Sequence, residues 1–276
     1  MDAGHILITK SSGEQVAFSL DKIKASLRRT GAGDPLIEKI LNTLANEVYE
    51  GITTREVYNR AYALLKQSRS EYASRYKLKR AIYELGPTGF PLEKFVAAIL
   101  KYSGYKTRTG VIFTGHCVNH EVDVEARKNG MLTLVECKFH GQQGINCNVK
   151  VPLYIHSRYL DIREHWNKEE TLEPIWVVTN TRFTLDAMKY GKCMGMYLLS
   201  WDYPEGDSIR DRIDRLGLYP LTVSSLLTSR EKNFLLDKGI VLCRELLEDS
   251  FFLDHAGVSE VRKEKILDEM KNLCKC

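Results

Sequence analysis

The stretch NHEVDVEARKNGMLTLVECKFH, Asn119 to His140, contains two strand-length runs. They carry Glu121, Asp123, Glu136 and Lys138 where plain strands hold more Val or Thr. Between them stands Lys128-Asn129-Gly130-Met131. Asn-Gly tolerates the positive φ of a type I′ turn, so a two-residue hairpin is predicted. In that register Lys128 faces Met131, Asp123 faces Glu136 and Glu121 faces Lys138. Side chains alternate along a strand. One face then holds Val122, Val124 and Ala126 against Cys137, Val135 and Thr133. The other holds Glu121, Asp123 and Glu125 against Lys138, Glu136 and Leu134. Two carboxylates stand opposed, their Cβ atoms ~5 Å apart, and like charges so placed repel. A divalent cation between them removes that penalty, and oxygen donors suit Mg²⁺ or Mn²⁺. Lys138 follows Glu136 on the same face, roughly 6.6 Å along the strand, beside the place of a metal-bound water and a scissile phosphate. The plainer alternative is a hairpin with one solvated, charged face. Leu132 and Leu134 on that face argue for partial cover.

The text around the hairpin alternates strand and helix from about residue 90 to 203. Pro91 suits the first turn of a helix whose apolar face is Leu92, Phe95, Val96, Ile99 and Leu100, and Gly104 suits its end. GVIFTG, HEVDVEA, MLTLVECK, PIWVVTN and MYLLSW read as strands. WVVT and YLLS are short apolar runs, as in strands covered on both faces. A helix is expected over FTLDAMKYGKCMG. This is an α/β pattern with a hairpin inside it.

Asp123 followed by Glu136-Cys137-Lys138 resembles the D…ExK signature of the PD-(D/E)XK nucleases, and more closely that of Mrr-like restriction endonucleases. A helix bearing Glu93 precedes the hairpin, as in that group. EVDVEARKNGMLTLVECK and WVVTNTRFTLDAMKYG resemble its text in order. Gln142 and Gln143 stand where the group places a Gln after the Lys, in a register the sequence leaves open. The resemblance covers about 90 to 200. It implies an α/β/α nuclease core that hydrolyses phosphodiesters. Asp123 and Glu136 would hold the metal, with the carbonyl of Cys137 as a further ligand. Lys138 would serve the attacking water and the developing charge, and Glu93 would assist through water. Glu93 as a solvated helix residue, and Glu121 as a partner of Lys138, are the alternatives.

The chain before residue 90 opens with HILITK and EQVAFS around SSG, a small hairpin, and continues as helix. Leu36, Ile37, Ile40, Leu41, Leu44 and Val48 share one helical face, and Thr53 with Glu56 spells a capping box. ILITKSSGEQVAFSLDKIKASL, GITTREVYNRA and EYASRYKLKRAIYELGPTGF resemble, in order, the ATP-cone, a nucleotide-sensing module of ribonucleotide reductases and related regulators. The resemblance implies ATP or dATP as effector, bound by Lys10, Lys22 and Thr54. Ser11 stands where the family has Arg, and Tyr58 where it often has His. No GxxxxGK[ST] loop occurs, so no Walker-type ATP hydrolysis is suggested.

From about 204 the text is helical and charged. LTSREKNFLLDKGIVLCRELLED resembles helix-hairpin-helix modules. Thr228 and Glu231 suggest a cap and Gly239 a stop. Arg230, Lys232, Lys238 and Arg244 are candidate phosphate contacts; an oligomerisation or packing element is the alternative. The net charge of +4 is compatible with nucleic acid without requiring it. Seven spread Cys without a CxxC pair argue against a zinc ribbon and for thiols in a reducing compartment. No run of 18 apolar residues occurs, so no membrane span is expected.

The expected protein is thus α/β and multidomain. Residues 1–89 form a mostly helical ATP-cone with a small hairpin, 90–203 the nuclease core and 204–276 a helical C-terminal region. It is a cytoplasmic, metal-dependent DNA endonuclease under nucleotide control, expected as a homo-oligomer, in a restriction or phage-defence setting. The rival is a nucleotide-sensing DNA-binding regulator with an inactive nuclease fold.

Overall fold

A computed structural model describes residues 6–10, 12–86 and 88–275. Ser11 therefore lies outside the described residues. The N-terminal hairpin pairs β1 (Leu7–Thr9) with β2 (Gln15–Ala17), Ile8 opposite Val16. Three helices follow: α1 (Leu20–Arg28), α2 (Asp34–Glu47) and α3 (Thr54–Ser68). The predicted box starts α3: the Glu56 amide donates to Thr53 Oγ1 at 3.1 Å, and the Thr53 amide donates to Glu56 Oε2 at 3.2 Å. Two short helices, α4 (Ser70–Tyr76) and α5 (Leu78–Tyr83), lead out of this unit. Its own cores are built from Leu27, Ile37, Leu44 and Leu65, and from Phe18, Ile52 and Val57.

The helix α6 (Phe90–Tyr102) has Pro in its first turn, and Gly104 beyond it takes φ 90°. Then come β3 (Lys106–Thr114), β4 (Asn119–Lys128) and β5 (Met131–Lys138). Asn129 and Gly130 adopt φ 53° and 75°, the conformation a type I′ turn needs. The β4–β5 register follows: Lys128 faces Met131 and Val124 faces Val135. The next elements are α7 (Lys150–His165), β6 (Thr171–Leu172), β7 (Trp176–Thr179), α8 (Leu185–Cys193) and β8 (Tyr197–Leu199). The mixed sheet runs β3-β4-β5-β7-β8, with β6 paired to β5. Its first three strands are antiparallel, while β5, β7 and β8 are parallel.

Helices cover both faces. Against α7 and α8 lie Val122, Leu132, Leu134, Val177 and Leu198. Against α6 lie Val124, Ala126, Val135, Val178 and Leu199, in a core that continues into the C-terminal helices. These are α9 (Ile209–Leu216), α10 (Ser229–Asp237), α11 (Cys243–Glu248), α12 (Phe251–His255) and α13 (Glu260–Cys274). The predicted cap at Thr228 and stop at Gly239, φ 81°, bracket α10. Leu78 and Leu85 at the end of the N-terminal unit share this core with Phe95 and Met270. The Ser74 hydroxyl donates to Glu269 at 2.8 Å, and the Thr222 hydroxyl donates to the Ala81 carbonyl at 2.6 Å. No helix among the described residues is long and apolar enough to cross a membrane.

Two expectations change. Val122 does not share a face with Val124. The paired residues of β4 and β5 end at Val124–Val135, and Gly110 opposite Asp123 takes φ 62° and breaks the β3–β4 pairing. The backbone turns over there, and Val122 joins the other core. Lys232 is no surface contact. It is 8% exposed, and its Nζ donates to the carbonyls of Thr222 and Ser224 at 2.9 and 2.6 Å.

Candidate active site and effector site

The candidate site lies where β4 and β5 part. Beyond Val135, β5 pairs with β7 on its other side, Glu136 opposite Val177 and Lys138 opposite Thr179. The carboxylate of Asp123 enters the fork, and the Cys137 amide donates to Asp123 Oδ2 at 2.7 Å. A side chain thus takes over a backbone amide where the hairpin pairing stops. Glu136 is buried at 6% exposure. One of its oxygens, Oε2, meets Arg158 Nη1 at 2.7 Å, while Oε1 is buried without a hydrogen-bond partner.

Burial and the neighbouring Asp123 push the Glu136 carboxyl up to about 8, against the pull of Arg158. Burial also raises Asp123, opposed by the Cys137 amide and Arg158. Glu93, near the start of α6, is pushed up to about 7 by burial, then by Asp123 and Glu121. The fold therefore brings Glu93, Asp123 and Glu136 into one electrostatic cluster. Lys138 is exposed at the end of β5. Glu121 forms no ion pair with Lys138 among the described residues; its carbonyl instead accepts from Arg158. No cluster of three or more His, Cys, Asp or Glu side chains among the described residues is arranged to hold a metal ion.

Three contributors were not singled out from sequence. Arg158 comes from α7, a helix not predicted. Its buried positions are Pro152, Ile155, Tyr159 and Ile162, but Leu153, Tyr154 and Leu160 are exposed and blur the period. Thr179 and Asn180, both 0% exposed, fasten the segment after Glu136. The Thr179 hydroxyl donates to the Lys138 carbonyl at 2.8 Å. Asn180 accepts from the His140 amide at 2.8 Å and donates to the His140 carbonyl at 2.9 Å. Their signal was present: polar residues directly after an apolar run, as a strand end that positions a site requires.

In the N-terminal unit, Lys10, Lys22, Thr54 and Tyr58 line one cavity of about 250 Å³. Its remaining wall includes Ile8, Val16, Phe18, Ile23 and Val57. Apolar walls with two ammonium groups suit a base with phosphates. Lys10 also pairs with Glu14 at 2.9 Å. Tyr58 stacks on Tyr76 with ring centroids 5.0 Å apart.

Two regions of the chain match known families. Residues 6–85 match the ATP cone domain, so the chain carries this nucleotide-sensing regulatory module. Residues 219–274 match the C-terminal domain described as AF1548-like. An uncharacterized protein of Archaeoglobus fulgidus is 32% identical over 179 residues, 64% of this chain and 99% of that one. A crystal structure titled as the protein of unknown function AF1548 superposes with a TM-score of 0.57 at 31% identity, covering 68% of this chain and 98% of that one. With almost the whole of that relative matched at this identity and its C-terminal domain found at the end of the sheet-bearing region, the chain belongs to the AF1548-like family, joined here to an ATP-cone.

Proposed function

We propose that this protein is a metal-dependent DNA endonuclease of the Mrr-like PD-(D/E)XK type, set by ATP or dATP on its cone. The observation that carries the reading is the half-buried Asp123 beside the buried Glu136 at the β4–β5 fork, with Lys138 at the strand end. Two carboxylates in a dry fork cost stability unless a cation or a proton joins them. The unpartnered Glu136 Oε1 is a free donor to such a cation. Mg²⁺ or Mn²⁺ held by Asp123 and Glu136, with the Cys137 carbonyl as further donor, would supply Lewis acidity toward a phosphodiester. Arg158 holds Glu136 Oε2 at 2.7 Å and would share that carboxylate with the metal. Lys138 positions the attacking water and stabilises charge growing on the phosphorane oxygens. Glu93, held near 7, is matched to accept the water's proton at neutral pH. The P–O bond then breaks and the leaving oxygen is protonated from solvent.

The second reading, a nucleotide-sensing DNA-binding regulator without activity, draws on the Arg158–Glu136 ion pair, which occupies one oxygen of the proposed metal ligand. Incubation of supercoiled plasmid with Mg²⁺ or with EDTA, each with and without ATP or dATP, separates the two. Nicking or linearisation that requires Mg²⁺ is expected. DNA retained on the protein but intact under every condition would leave the regulator as the better reading.

A further inference from the structure

A second cavity, about 530 Å³, adjoins the effector cavity and shares Thr54, Tyr58 and Tyr76 with it. Its other walls are Arg55, Asn59, Lys79 and Arg80 from the cone, and Gln143 from the loop that follows Lys138. Two features make this a place for an anion. Arg55 and Lys79 form no ion pair among the described residues, and only Arg80 has a partner, Glu84 at 3.2 Å. Burial and then Arg182 hold the Lys79 ammonium below the ordinary value, with Asp202 opposing them and Arg210 adding to them. A phosphate entering there gains charge-assisted hydrogen bonds and relieves that repulsion. Tyr58 stands between the two cavities. Its hydroxyl is buried and has no hydrogen-bond partner, so a bound ligand would supply one.

The loop with Gln143 is tied to both functional regions. At one end the carbonyl of Lys138 is held by Thr179, and His140 is held on both sides by Asn180. At the other, Phe139 lies on Gly86, directly after the cone. A Cβ there would stand 2.5 Å from the ring. Ligand contact with Gln143 therefore acts on the segment that begins at the candidate catalytic lysine.

We propose that the cone's nucleotide extends past Lys10 and Lys22 into this second cavity, where Arg55, Lys79 and Arg80 take its phosphates and Gln143 closes over them. The loop after Lys138 is then part of the effector site, and nucleotide state reaches the β4–β5 fork by direct contact, without a change of assembly. The binding statement needs only the ATP-cone; the consequence for cleavage rests on the nuclease reading above.

The test reads binding and loop protection rather than cleavage, so it stands if the nuclease reading fails. Hydrogen exchange is measured on the full chain with and without saturating ATP, and ATP Kd by calorimetry for wild type, Gln143→Ala and Arg55→Ala. Amides of residues 139–144 should slow at least about 5-fold with ATP. Arg55→Ala should weaken ATP roughly 10-fold and Gln143→Ala by a smaller factor of about 3. Circular dichroism establishes that both variants fold. ATP that protects the cone but leaves 139–144 unchanged, or wild-type affinity in both variants, would overturn the proposal. Protection of the loop together with unchanged plasmid would uphold it and count against the nuclease alone.

Discussion

Glu136 is the residue on which most of the proposed chemistry turns. Its carboxyl is held near 8 because burial and Asp123 outweigh Arg158. Its folded value exceeds its unfolded one, so its protonation favours folding. That contribution is complete below the unfolded carboxyl range and is lost as pH rises through about 8. Metal-free protein should therefore lose thermal stability as pH rises from about 5 to about 9, since the proton favours the folded state only while the folded carboxyl still holds it. Glu136→Gln should flatten the decline, and Mn²⁺ should restore wild type at high pH but not the variant. Parallel melting curves for both proteins across the range would contradict the assignment. Lys138 is exposed and bonded to no carboxylate among the described residues, so Lys138→Ala should leave the melting temperature and DNA affinity near wild type. Single-turnover cleavage should fall on the order of 100-fold or more, the scale expected when a donor to developing charge is removed. A variant that cleaves at the wild-type rate would remove Lys138 from the mechanism.

At the scale of elements, α6 holds the sheet from one side and carries Glu93 to the fork. Phe95 is fully buried in its centre, in the same core as Val124 and Val135 of the hairpin. Phe95→Ala should cost about 3–5 kcal/mol, the range for a large buried aromatic, measurable by urea unfolding. The caps and turns of these elements were legible because they depend on neighbours within four residues. Thr53–Glu56, Asn129–Gly130, Thr228–Glu231 and Gly239 are each short patterns with a single geometric reason. The helix α7 was not legible, because it packs two ways: Ile155, Tyr159 and Ile162 enter the core while Leu153 and Tyr154 stay exposed. Periodicity fails when exposed positions are also apolar, and Arg158 was lost with the helix.

Over the whole molecule, the cone and the C-terminal helices meet on buried polar contacts. Glu269, 1% exposed, accepts from the hydroxyls of Ser74, Ser224 and Ser225 and from the Ser225 amide. Glu269→Ala leaves these donors without their carboxylate acceptor and should lower stability on the order of 3 kcal/mol. Glu269→Gln keeps part of the network and should cost less; equal stability of wild type and both variants in urea would show the contact to be idle. Lys10 and Lys22 line the first cavity of the cone. Replacing both by Ala should abolish the response of cleavage to ATP and dATP while basal Mg²⁺-dependent cleavage persists. An intact nucleotide response in that double variant would move the effector site away from the first cavity.

Local order in this protein follows from the sequence alone, because capping, turn chemistry and strand alternation act within a few residues. The hairpin register from Lys128–Met131 to Val124–Val135 comes from Asn129-Gly130 in this way. The expected facing of Asp123 with Glu136 and of Glu121 with Lys138 does not form, because the pairing stops at Val124. The face switch at Asp123 does not come from the turn. It depends on Gly110 in a neighbouring strand and on β7 drawing β5 away from β4. Likewise no spacing announces that Arg158 meets Glu136 across 22 residues of chain, or that Gln143 walls a cavity with Thr54. These juxtapositions arise when separately formed elements bury a common core. Their partners are then chosen by packing across the sheet and between domains, a long-range condition that residue order does not display.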